Sequence, residues 1–199
     1  MPNVVPTKGN LMALKKSLAL ANTGYELMDR KRSILVNEIM SLIGRAREIQ
    51  GRIDETFSEA YAALRRASIT LGIPIGTAQQ IPLDDSVSFR FRSVMGVELP
   101  AVSKSSDPPA LAYGFAFTNS ALDSATISFN KVKLLSAELA EIETAIYRLA
   151  FAIKKTQKRA KALENIVIVN FERDVKFISE ALEEKEREEY ARLKILKKS

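Results

Sequence analysis

Residues Leu11–Ala67 read LMALKKSLALANTGYELMDRKRSILVNEIMSLIGRAREIQGRIDETFSEAYAALRRA, and the spacing inside this stretch decides the fold. Alternate steps of three and four from Leu11 land on Leu14, Leu18, Ala21, Tyr25, Met28, Arg32, Leu35, Ile39, Leu42, Ala46, Ile49, Ile53, Thr56, Ala60, Ala63 and Ala67. Only Arg32 and Thr56 in that series are not apolar. A 3.5-residue period held over about eight heptads specifies a left-handed supercoil, whereas the stripe of a globular helix follows 3.6. Such a helix needs a partner along its length. Thr7 is the expected N-cap, and Leu71-Gly72-Ile73-Pro74 is the expected stop, a left-handed glycine followed by proline.

The partner lies in the same chain. Beyond Gly114 there is neither glycine nor proline, and a second seam runs Val132, Leu135, Leu139, Ile142, Ile146, Leu149, Ile153, Thr156, Ala160, Leu163, Val167. Its phase then slips: Phe171, Val175, Ile178 and Leu182 continue the stripe only across an inserted four-residue step. This stutter predicts local unwinding near residues 163–171. Ser120 through Asp123 has capping-box spacing with Asp in place of Glu. Between the helices, Val87-Ser88-Phe89-Arg90-Phe91-Arg92 alternates as a half-buried strand does. Met95-Gly96 can turn it into Val97-Glu98-Leu99, with Pro100 as its end and Ser103–Pro109 as an exposed loop. Phe89 and Phe91 read as local core rather than a base-stacking platform. The predicted fold is mainly α: a long antiparallel two-helix left-handed coiled coil with a small middle insert containing a short β-hairpin. Its divisions are residues 1–72 (first long helix), 73–119 (insert) and 120–199 (second long helix). At 1.5 Å per residue the two helices would be roughly 95 and 120 Å long.

Composition narrows the chemistry. Among 199 residues, 30 are basic and 24 acidic, for a formal charge of +6, and none is His, Cys or Trp. Imidazole and thiol catalysis, disulfides and thiolate zinc sites are thereby excluded. No phosphate-loop or G-x-G spacing occurs, and pairs such as Glu183 and Glu184 read as solvated helix surface. No catalytic residue, cofactor or metal is expected. No apolar run approaches the roughly 20 residues of a spanning helix, and the N-terminus lacks a secretory pattern, so a soluble cytoplasmic protein is expected. The basic balance suits acidic partners. The run Lys154-Lys155-Thr156-Gln157-Lys158-Arg159-Ala160-Lys161 reads as a solvated face or protein contact, and Arg32 as a register-fixing intrusion. Periodicity alone leaves open a shaft, a scaffold or adaptor, and a nucleic-acid-binding coiled coil.

Several stretches resemble one family, the D subunits of V-type and archaeal A-type ATPases/ATP synthases, which form the central-stalk axle. Pro6-Thr7-Lys8 with Asn10-Leu11 is similar to its opening, and Ser93-Val94-Met95-Gly96-Val97-Glu98-Leu99-Pro100 to its central signature. Tyr113-Gly114 fits its entry into the second long helix. Lys155-Thr156-Gln157-Lys158-Arg159 through Ala162-Leu163-Glu164 resembles its most specific C-terminal motif, with Ala160 and Lys161 where the family tends to carry Val and Asn. Glu186-Arg187-Glu188-Glu189-Tyr190 with Arg192-Leu193-Lys194 resembles its closing helix.

The resemblance implies a non-catalytic rotor shaft, peripheral to the plasma membrane on the cytoplasmic side. It would transmit torque between an ATP-handling hexamer of A and B subunits and a membrane ring carrying H⁺ or Na⁺. The F subunit would bind along it, and a socket formed by the C subunit (d in eukaryotes) would hold its turn end; no nucleic acid and no direct membrane insertion are implied. The expected contacts to the hexamer are Lys8, Lys15, Lys16, Arg45, Arg47, Lys154, Lys155, Lys158, Arg159, Lys161, Lys194 and Lys197. In an antiparallel pair with flush ends, Lys8, Lys15, Lys16, Lys194, Lys197 and Lys198 gather at one tip. Arg45 and Arg47 then face Lys154–Lys161, and Arg32 meets Asp174. The hairpin residues are Val87, Phe89, Phe91, Met95, Gly96 and Val97.

Overall fold

The computed structural model describes residues 5–72, 87–104, 113–114 and 118–197. In chain order these form α1 (Lys8–Leu71), β1 (Val87–Val94), β2 (Val97–Lys104), α2 (Ser120–Ala162), a π-helix (Leu163–Ile168) and α3 (Val169–Leu196). Two long helical stretches pack together, with a two-stranded antiparallel hairpin in the middle, as the heptad seam requires. All eight buried hydrophobic residues of α1 (Ala21, Leu35, Leu42, Ile49, Ile53, Ala60, Ala63 and Ala67) lie on that seam. Opposite, Val132, Ile142, Leu149, Thr156, Ala160 and Ile178 are buried on the second seam, while Ala145 takes the inward place expected of Ile146.

The chain divides into two compact units, residues Met1–Ile34 with Ile153–Ser199, and residues Leu35–Ala152. In the second unit the helices are antiparallel. Tyr61 meets Phe129 edge-on at 5.6 Å, and Arg45 meets Glu138 at 3.6 Å. At the turn end of these helices the side-chain amide of Asn119 donates to Thr70 Oγ1 at 2.6 Å. The N-cap of α2 is this Asn119, whose Oδ1 accepts the Leu122 N–H at 3.1 Å, and not Ser120. Asp123, read from sequence as the far half of a capping box, instead accepts the Tyr113 hydroxyl at 2.7 Å. Gly72 ends α1 at φ +74, with its N–H on the Ser68 carbonyl, as the glycine stop predicts. Pro74, most of the 103–109 loop and Lys198 lie outside the described residues.

Tyr113 is buried with Ala67 and Leu122. Burial raises its phenol above the usual tyrosine range, and the hydrogen bond to Asp123 adds to this against the opposing bond to Thr126. A raised acid favours the neutral phenol in the folded chain. Its contribution is therefore in place below about pH 10, the unfolded value, and disappears as pH rises through the folded value. Tyr113→Phe should cost about 1 kcal/mol in urea unfolding at pH 7, and that difference should shrink by about pH 11. A difference that stayed constant with pH would refute the assignment.

The phase slip has a structural counterpart. From Leu163 to Val167 to Phe171 the seam takes two successive steps of four, one residue more than alternation allows. A single π-helical stretch, Leu163–Ile168, absorbs that residue and keeps the following stripe facing inward, where Ile178 is fully buried.

The first unit departs from a flush pairing. Lys8 Nζ lies 2.9 Å from Glu186, about three turns short of the residue that flush ends would place there. Residues 183–197 are exposed throughout and satisfied along their own helix, Arg187 with Glu183 and Arg192 with Glu188. No apolar seam there draws the ends level. Consequently Arg32 pairs with Asp29 on its own helix at 2.7 Å and not with Asp174. One buried oxygen of Asp174 accepts no hydrogen bond from the described residues and sits 3.6 Å from Arg173 Nε. Asp174→Leu should raise stability by about 1 kcal/mol in urea unfolding, because the long ion pair to Arg173 offsets only part of the desolvation of an oxygen that has no hydrogen bond. A destabilised variant would show that the Arg173 contact outweighs that desolvation.

Candidate functional site

Two surfaces carry the polar chemistry. The first is the basic run on α2, in the first unit. Thr156 and Ala160 are buried in the seam, which fixes the rotation of the helix. Lys154, Lys155, Lys158, Arg159 and Lys161 are then all exposed, spread over roughly 160° of the opposite side at 100° per residue. None of the five has a carboxylate within ion-pair distance among the described residues. Ala160 lies in the seam, where a larger side chain would crowd α1, and Lys161 extends the solvent face. Of the other cations singled out in the sequence, Lys15, Lys16, Arg47, Lys194 and Lys197 are exposed. Lys8 is held by Glu186 and Arg45 by Glu138. The expected tip cluster does not assemble, because Lys194 and Lys197 run on past the Lys8–Glu186 pair. Arg45 has residue 138 opposite it, not the 154–161 run.

The second surface is the hairpin, in the second unit. Met95 and Gly96 both take positive φ (50 and 75), the combination that closes a two-residue turn without splaying the strands. Cross-strand pairs then alternate between hydrogen-bonded and open, beginning with bonded Val94 and Val97. Pro100, opposite Phe91, falls at an open position where no N–H is needed, so β2 continues through it to Lys104 instead of ending there. Glu98 and Val102 are open positions as well, and both are met by α2. The Val102 N–H donates to Glu141 Oε2 at 2.8 Å, and Arg148 donates to the Glu98 carbonyl at 3.0 Å. Across the hairpin, Arg92 reaches Glu38 of α1 at 2.8 Å. Leu99 is fully buried beneath. The strand is not half-buried as its alternation suggested: Phe89 and Phe91 are 66% and 61% exposed, and the Arg148 guanidinium lies 5.6 Å over the Phe91 ring. Glu38, Glu141 and Arg148 escaped sequence reading. The available signals were the one-heptad interval between Glu141 and Arg148 and the parity of Pro100.

Similarity to known proteins decides the family. A family model for the D subunit of ATP synthase matches residues 10–198. The chain is 44% identical to the V-type ATP synthase D subunit of Thermotoga neapolitana over 197 residues, 98% of this chain and 97% of that protein. The chain belongs to the ATP synthase D-subunit family. Archaeal members confirm the breadth of the match: 35% identity to the A-type D subunit of Methanopyrus kandleri (99% of this chain, 87% of that one) and 34% to that of Pyrococcus abyssi (99% and 96%). As a member of this family, the chain is a component of a rotary ATPase complex, and ion transport and ATP synthesis are activities of that complex. Because the match is almost end to end, it takes in the hairpin, both long helices and the basic run together. Among the described residues, no helix is long and apolar enough to cross a membrane.

Proposed function

We propose that this D subunit is the non-catalytic central rotor shaft of a V/A-type rotary ATPase. It transmits torque between the A/B hexamer and the ion-translocating ring, bound by the F subunit and seated in a C/d-type socket, peripheral to the membrane on the cytoplasmic side. The observation that carries this reading is the heptad seam, buried on both helices while the five cations of the basic run lie in water with no carboxylate in ion-pair distance among the described residues. A shaft must resist twisting and yet touch equivalent sites in turn without locking into any. Interlocked apolar packing supplies the resistance. Solvated Lys and Arg contacts, each worth about 0–1 kcal/mol, supply contact without a deep minimum.

The test is direct observation of rotation. A probe fixed at the turn beside Val97, with the chain reconstituted in an A/B hexamer, should advance in ATP-dependent steps of about a third of a turn, as threefold symmetry requires. A static probe in a hydrolysing complex would overturn the rotor reading. Co-purification with nucleic acid that is lost steeply as salt rises would favour the basic nucleic-acid-binding alternative.

A further inference from the structure

The hairpin's two edges are unequal. On β2 the edge is interrupted: Glu141 takes the Val102 N–H, Arg148 donates to the Glu98 carbonyl, and Pro100 between them has no N–H to offer. On β1 the outward positions are Val87, Phe89, Phe91 and Ser93. Their backbone groups make no hydrogen bond outside the hairpin among the described residues. An open edge of this length is a template for a further strand, and proteins ordinarily blunt such edges, as β2's is blunted here.

We propose that the free edge of β1 is a strand-addition site for an extended segment of a partner protein, one that alternates apolar and acidic residues. The two faces of β1 define that chemistry. Phe89 and Phe91 project from one face, largely exposed, and would flank apolar side chains of an added strand. On the other face Arg90 is exposed and has no carboxylate in reach among the described residues, while its neighbour Arg92 is already engaged by Glu38. An acidic side chain beside Arg90 completes the pair. A second copy of this chain fits poorly: antiparallel self-pairing centred on Arg90 sets like charges directly opposite each other. The site does not depend on the rotor reading, since it follows from edge geometry alone.

The test uses the full chain and a synthetic eight-residue peptide of alternating Val and Glu. Binding should slow amide exchange about tenfold at residues 87, 89, 91 and 93 and leave 88, 90 and 92, already bonded within the hairpin, unchanged. Phe89→Pro removes an outward N–H at a position equivalent to Pro100 and should weaken binding about tenfold, whereas Phe89→Ala, which keeps the N–H, should weaken it only about two- to threefold. Arg90→Glu should switch the preference to a Val–Lys peptide. Equal protection at both parities would overturn the proposal. So would indifference to Phe89→Pro, protection already present without peptide, or self-association through the same edge.

Discussion

Leu149→Ala is expected to destabilise the chain by about 3 kcal/mol in urea unfolding, while Tyr147→Ala and Phe151→Ala, two residues to either side, stay within about 0.5 kcal/mol. The contrast runs against side-chain size. Tyr147 and Phe151 are larger but 74% and 65% exposed, whereas Leu149 is wholly buried on the second seam. Removing the outer carbons of its side chain loses their transfer free energy and leaves a void. The walls of that void belong to two continuous helices with little freedom to close in. The denaturant slope should be unchanged, because the same surface is exposed on unfolding. Equal costs at all three positions would mean that the stripe through Leu149 is not the packed seam.

What could be read from sequence, and what could not, divides along a physical line. The seams were legible because a 3.5 period repeated over many turns leaves one face to bury, so Leu35, Leu42, Ile49, Leu149 and Ile178 fell where the stepping put them. The extra residue between Val167 and Phe171 was legible for the same reason, although sequence showed only that the phase shifts and the structure assigns the shift to a π-helix. Register between the helices was not legible. Heptads repeat every seven residues, so sliding one helix by a heptad restores the apolar match, and only individual polar contacts such as Lys8–Glu186 choose among the alternatives. The Arg32–Asp174 pairing failed on this point, as did the tip cluster. Hairpin burial was illegible for a different reason. Alternation tells which residues share a face but not whether that face is covered, and the hairpin is held in part by Glu141 and Arg148, 39 and 50 residues away in sequence, reaching backbone atoms that no side-chain pattern reports.

The largest functional effect should come from residues whose loss the fold does not feel. Replacing Lys154, Lys155, Lys158, Arg159 and Lys161 together by Gln should leave urea stability within about 0.5 kcal/mol. All five are exposed and make no ion pair with the described residues, and Gln is nearly as good a helix former as Lys or Arg. If these side chains are the shaft's contacts to the A/B hexamer, five contacts of roughly 0.5 kcal/mol each amount to about 2–3 kcal/mol, or an association weaker by about 30- to 150-fold at low salt. Part of the loss should appear in the association rate, because an exposed arc of like charge attracts an oppositely charged surface over distances of about 10 Å before contact is made. The difference between parent and variant should therefore close as salt approaches about 1 M, where that field is screened to about 3 Å. Binding kinetics to the hexamer at low and high salt, together with ATP-driven rotation, measure both components. A variant that binds and rotates like the parent at low salt would move the bearing contact elsewhere on the helix. A variant that unfolds more readily would instead show that the run has structural partners, and its outward orientation, set by the buried Thr156 and Ala160, would have to be abandoned.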